Sequence, residues 1–142
     1  MPLRAEVVRR KLLEIEQAVE QLRAWLPVTA EAMRQDRKLQ WAIQHGLLIA
    51  AEALFDVGAH ILAGESREVT DEYREIPERL HARHVIAAET MRHLESLSGF
   101  RNILVHEYAE IDLSRVALAL GRLGDIEAFV ADVEGWLTRG GH

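Results

Sequence analysis

Six apolar residues, Val8, Leu12, Ile15, Val19, Leu22 and Leu26, occur in succession at intervals of four, three, four, three and four positions. At 3.6 residues per turn that alternation draws a single stripe along one side of a helix, whereas a β-strand would divide the same residues between its two faces. The spacing predicts an amphipathic helix over residues 3–26, ended by Pro27, which lacks an amide N–H and clashes with the preceding turn.

The same period governs most of the remaining chain. Thr29 is placed to cap a second helical stretch that runs to about Ala63, with Gly64 as its stop signal. Within it Ala42-Ile43, Leu47-Leu48-Ile49 and Leu54-Phe55 are apolar on more than one side, which suits a central helix touched by several neighbours. Residues 65–77, rich in Glu, Ser and Thr and closed by Pro77, read as a loop with room for one short turn. Helical spacing resumes at Glu78 and continues through Val85, Ile86, Met91, Leu94 and Leu97. A break or bend is expected at Ser98-Gly99, because glycine is costly inside a helix and common at its ends. A further helical segment covers 100–108. Asp112 then caps a last helix that runs to about Leu137 and buries Val116, Leu120, Leu123, Ile126 and Val130. Alternating, turn-bounded β-branched runs are missing. The expected fold is all-α, an antiparallel bundle of four to five helices forming one domain over 1–142.

Composition narrows the function classes. With 49% hydrophobic and 28% charged residues the chain has the make-up of an ordinary globular protein. It has no cysteine, so disulfides, thiolate metal sites and cysteine nucleophiles are excluded. The start, Met1-Pro2-Leu3-Arg4, does not lead into a signal-type apolar run, and no uninterrupted apolar stretch approaches about 18 residues, so a cytoplasmic protein without a membrane partner is expected. A net charge of -6 argues against coating nucleic acid by bulk electrostatics. Contact with RNA would have to be local, through groups such as Arg4, Arg9, Arg10 and Lys11, or Arg34, Arg37 and Lys38, which read otherwise as solvated helix faces.

Residues 99–108, GFRNILVHEY, set polar side chains into apolar surroundings. At about 100° per residue Arg101 and His106 lie roughly 140° apart, with Asn102 between them and Tyr108 close to Arg101 in angle. That predicts a polar sector turned outward, with Ile103 and Leu104 facing the core. Histidine exchanges protons near neutrality, and arginine keeps its charge and offers a planar fork that fits phosphate oxygens. Together they are the minimum set for RNA phosphodiester cleavage without a metal: the imidazole moves the proton of the attacking 2′-hydroxyl or of the leaving oxygen, and the guanidinium stabilises charge on the phosphoryl group. DNA lacks that hydroxyl and is not a substrate of such chemistry. A second proton-transfer group would come from a two-fold dimer. Read as composition alone, the same residues also suit hydrogen-bonded packing.

The string resembles the Arg-x4-His-x-Tyr signature of the HepT-like branch of the HEPN superfamily, and the similarity runs from Gly99 through Ile111-Asp112. Chain length, helical layout and the position of the motif before a final helix agree with that family. The resemblance implies an HEPN-like bundle and the toxin half of a type II/VII-like toxin–antitoxin pair: a homodimeric, metal-independent endoribonuclease that needs no cofactor. Its implied partner is a minimal nucleotidyltransferase of the MNT type. On the matching positions Arg101 and His106 would be catalytic, Asn102 supporting, and Tyr108 the hydroxyl that the partner modifies with AMP, an anionic adduct that would block substrate phosphate. The chain carries no Gly-Ser and paired-Asp nucleotidyltransferase motif, so AMPylation would belong to another chain. The alternative is a non-catalytic HEPN module that binds a nucleotide or small substrate for a separate nucleotidyltransferase.

Other groups are weaker. Glu52, Asp56 and His60 are spaced at four-residue intervals and would either begin a metal site, aid the cleft or form surface hydrogen bonds. His81 and His84 read as solvent-facing, and Trp25, Trp41 and Trp136 as core or interface anchors.

Overall fold

The computed structural model describes residues 3–67, 72–106 and 111–140, with the backbone alone at Ser66 and His106. Helix α1, Ala5–Ala24, buries Val8, Leu12, Ile15, Val19 and Leu22, so the stripe forms as its spacing predicts. It ends two residues early: the Trp25 N–H donates to the Leu22 carbonyl and the Leu26 N–H to the Arg23 carbonyl, each at 3.1 Å, and Leu26 is exposed.

The expected second helix is two. In α2, Ala30–Gln35, the Thr29 hydroxyl accepts the Ala32 N–H at 3.1 Å, as its cap position implied. Asp36 then adopts an extended backbone and its carboxylate accepts the Leu39 N–H at 3.1 Å, starting α3, Arg37–Ser66. Gly64 does not stop α3, which ends at Arg67 with a left-handed φ of 57°. The glycine is needed for packing instead, since a Cβ there would sit 2.9 Å from the Leu3 Cα.

Residues 73–75 form a 3-10 turn, and Pro77 lies in the first turn of α4, Ile76–Ala82, where its missing N–H costs nothing. The chain breaks at 83–87 around His84, which has a φ of 61°. It re-enters helix as α5, Ala88–His106, which runs through Ser98-Gly99 without the expected break. The Ser98 hydroxyl donates to the Glu95 carbonyl at 2.9 Å, and a Cβ on Gly99 would meet nothing within 4 Å, so this glycine lies on an open face. The start of α5 is held by Asp132, whose Oδ2 accepts from the Ala87 N–H at 3.0 Å and the Thr90 hydroxyl at 2.7 Å.

Asp112 caps α6, Leu113–Leu120, through the Ser114 N–H at 3.0 Å. A turn at Gly121-Arg122 separates it from α7, Leu123–Arg139, so the last expected helix is also two, although Val116, Leu120, Leu123, Ile126 and Val130 are all buried as expected.

The described residues are almost entirely helical and contain no strand. The long helices make the bundle: α1 packs on α3 and α7, and α5 on the same two. Leu22 beside Gly46 and Leu3 beside Gly64 show that α1 and α3 are antiparallel. Thr90 on Asp132 and His93 on Asp125 show the same for α5 and α7. Of the short helices, α2 leans on α6, and α4 fills the space between α3 and α5. Gly58 permits that last approach, because a Cβ would fall 2.4 Å from the Ile76 Cγ2. Helix α3 is long and apolar enough over 37–65 to cross a membrane by length and hydropathy alone, but in its most apolar 18-residue window more than half of the residues are buried by their neighbours, as befits the central element of a bundle.

Candidate active site

The uninterrupted α5 sets the direction of the motif. Phe100 is buried and Leu104 packs against the core, anchoring the segment as expected, while Ile103, expected to face the core beside Leu104, is only half-buried, as is Val105. Arg101 departs from the expectation of an outward polar sector. Its side chain is only 20% exposed, and it reaches back over the protein rather than into solvent.

Three contacts hold it there. The guanidinium carbon lies 4.4 Å from the centroid of the Tyr73 ring, Nη2 is 3.5 Å from Glu52 Oε1 on α3, and Nη1 donates to the Asn102 side-chain oxygen at 3.4 Å. The Tyr73 ring in turn stacks on Phe55, centroids 5.2 Å apart and planes within 9°, and Phe55 is fully buried. A cation so far withdrawn from water needs compensation, and an aromatic face together with a carboxylate supplies it. Nε is itself buried and has no hydrogen-bond partner among the described residues.

Beside this cluster opens a hollow of about 650 Å³ lined by Glu72, Tyr73, Arg74, Arg101 and Asn102. Arg74, largely exposed, pairs with Glu72 at 2.6 Å. Asn102 is exposed at the rim. The arrangement presents a planar cation, oriented by its surroundings and with N–H groups to spare, to an open space fit for a phosphate-bearing chain. His106 closes α5 and its side chain lies outside the described residues, as does Tyr108, so the expected convergence of Arg101, His106 and Tyr108 falls there too.

Residues 15–133 match the family described as Ribonuclease HepT-like. The chain belongs to the HepT-like ribonuclease family. A protein of Archaeoglobus fulgidus that bears a provisional RNase name is 28% identical over 118 residues, covering 83% of this chain and 86% of that one. Among solved structures, the tri-AMPylated Shewanella oneidensis HEPN toxin in complex with MNT antitoxin superposes with a TM-score of 0.81 at 23% identity, over 91% of this chain and 97% of that one. YutE of Bacillus subtilis, a cytosolic protein of unknown function, gives 0.84 at 16% identity over 99% and 95%. These likenesses establish the HEPN fold for this HepT-like chain.

The other candidate residues of the HepT-like chain have separate roles. Glu52 pairs with Arg101, Asp56 is exposed, and His60 is half-buried with an Nε2 that finds no partner among the described residues. Among those residues no group of three or more His, Asp or Glu side chains gathers as a metal site would require. His81 is structural, its Nδ1 meeting the Ile86 carbonyl at 3.0 Å, and His84 is exposed. Trp25 and Trp136 pack on the core, while Trp41 is 62% exposed with Arg37 over its ring. In the basic clusters Lys11 faces Glu14 at 4.0 Å and Arg34 faces Glu31 at 2.6 Å. Tyr73 is the site residue that spacing did not suggest; a lone aromatic inside an otherwise polar connection was the signal available.

Proposed function

We propose that this HepT-like chain is the toxin of a toxin–antitoxin pair, a metal-independent endoribonuclease that works as a homodimer and is neutralised when an MNT-type nucleotidyltransferase AMPylates Tyr108. The observation that carries the reading is Arg101, a guanidinium withdrawn from bulk water, clasped by Glu52 and Tyr73, and set at the wall of an open hollow at the arginine position of the family motif. In a site of lowered dielectric such a fixed cation stabilises developing phosphoryl charge far better than a solvated one.

In this reading His106 takes the proton from a ribose 2′-hydroxyl, and the freed oxygen attacks the adjacent phosphorus. Arg101 stabilises the added charge, assisted by Asn102. The bond to the 5′-oxygen breaks, and that oxygen leaves with a proton given by the imidazolium of the second subunit. The products are a 2′,3′-cyclic phosphate and a free 5′-hydroxyl, so atoms and protons balance without an ion. The purified chain, in excess chelator, should cleave single-stranded RNA and leave DNA of the same sequence intact. Cleavage of neither, with binding of a nucleotide alone, would return the reading to a non-catalytic HEPN module.

Tyr108 gives a separate test. Co-production with the cognate nucleotidyltransferase and ATP should raise the intact mass by whole AMP units on that residue and abolish cleavage, because a bulky anion at the cleft repels substrate phosphate. Tyr108→Phe should gain no mass. Unchanged mass in the wild type would refute this mode of neutralisation.

A further inference from the structure

We infer that Tyr73 and Glu52 are positioning residues that set the plane and rotation of the Arg101 guanidinium, with Phe55 as their buried support. The effect on rate rests on the ribonuclease reading above; the geometry does not.

An arginine left to itself samples many rotamers and aims its fork in as many directions. Here the options are few. The Tyr73 ring, 4.4 Å from the guanidinium carbon, restricts the plane of the group, and Glu52, 3.5 Å from Nη2, restricts rotation within that plane. Tyr73 is itself held by the parallel ring of Phe55, which has no exposed surface and cannot swing away. The ring is thereby engaged by Phe55 and Arg101, which leaves it poorly placed to act as a stacking platform for bases. Glu52 has an exposed side chain and is no part of the core, so its removal should not unfold the protein. Its carboxylate takes Nη2 alone, while Nη1 turns toward Asn102 at the rim of the hollow, so donors remain for a phosphate. A misplacement of 1 Å in such a group can cost about 100-fold in rate.

The test is single-turnover cleavage of a short RNA by Tyr73→Leu, Tyr73→Phe and Glu52→Gln, with melting temperatures taken in parallel. Tyr73→Leu and Glu52→Gln should lower the rate at saturating RNA about 10- to 100-fold while half-saturation moves less than about threefold; Tyr73→Phe, which keeps the aromatic face, should stay within about threefold of wild type. In an Arg101→Ala background, Tyr73→Leu should cost less than about twofold more, because residues that act through one another are not additive. Equal loss in Tyr73→Phe and Tyr73→Leu, faster cleavage by Glu52→Gln, or a full further loss in the Arg101→Ala background would each overturn the inference. A readout free of activity is the NMR signal of the Arg101 side-chain N–H protons, which the ring should displace in the wild type and in Tyr73→Phe but not in Tyr73→Leu. If those signals behave as stated and the wild type cuts no RNA, the ribonuclease reading fails and the clasp stands. If Tyr73→Leu leaves them unmoved, the clasp fails whatever the activity.

Discussion

Arg101→Ala and His106→Ala should each lower RNA cleavage by about 1,000-fold, the range measured when a charge-stabilising donor or a proton-transfer group is removed from an active site. For Arg101 the loss should be one of chemistry rather than folding. Its truncation strands Glu52, but that side chain is 44% exposed and rehydrates at little cost. Tyr73 loses a cation from its face yet keeps its stack on Phe55. The melting temperature should therefore move by only a few degrees while cleavage all but disappears. Arg101→Lys should recover only a small part of the rate, since a point charge on a flexible stem cannot reproduce a planar fork fixed against a ring. In cells, the wild-type chain produced without its partner should arrest growth and both alanine variants should permit it. Full toxicity from either variant would refute the assignment of that residue.

Phe129→Ala should be the most damaging change away from the site. Phe129 has no exposed surface and lies in α7, the helix that packs on α1 and α5. Emptying so large a volume in a core costs about 3–5 kcal/mol. For a chain of this size that corresponds to a fall of roughly 10 °C or more in melting temperature. The expected companion is loss of cleavage at temperatures the wild type tolerates, because α7 carries Asp132 and so fixes the start of α5. Leu118→Ala is the control: at 64% exposed, its truncation should stay within about 0.5 kcal/mol. Urea titration of the two variants separates the outcomes, and a Phe129→Ala loss below about 1 kcal/mol would contradict its burial.

Local features of the fold were legible before any coordinates. The stripe of α1 and the caps at Thr29 and Asp112 depend on neighbours within a turn, and all three form as their residues predict, save that Leu26 falls beyond the helix end. Misreadings came where distant packing overrules local preference. Gly64 reads as a terminator, but its small size is demanded by the Leu3 backbone; Gly99 reads as a break, but Leu94 and Phe100 on the other side of α5 are buried deeply enough to carry the helix across it. Asp36 falls inside the single helical stretch expected from Thr29 to about Ala63, and its extended backbone and cap divide that stretch in two. The motif itself stood out as a string, while the depth of Arg101 did not, because it is decided by Glu52 and Tyr73, far away in the chain and brought in by α3 and the turn before α4. Periodicity orders side chains around one helix. It does not say which foreign side chain will stand opposite.

The hold of Asp132 on the start of α5 has an implication for how such a chain can drift. With Ala87 and Thr90 moored to α7 and Arg101 clasped near the far end, the span between works like a toothed shaft. Gaining or losing one residue there would turn the guanidinium by about 100° and slide it by about 1.5 Å, out of reach of both Glu52 and Tyr73. Outward-facing residues between Thr90 and Arg101 can therefore be exchanged, but their number cannot change without taking the guanidinium off its mooring.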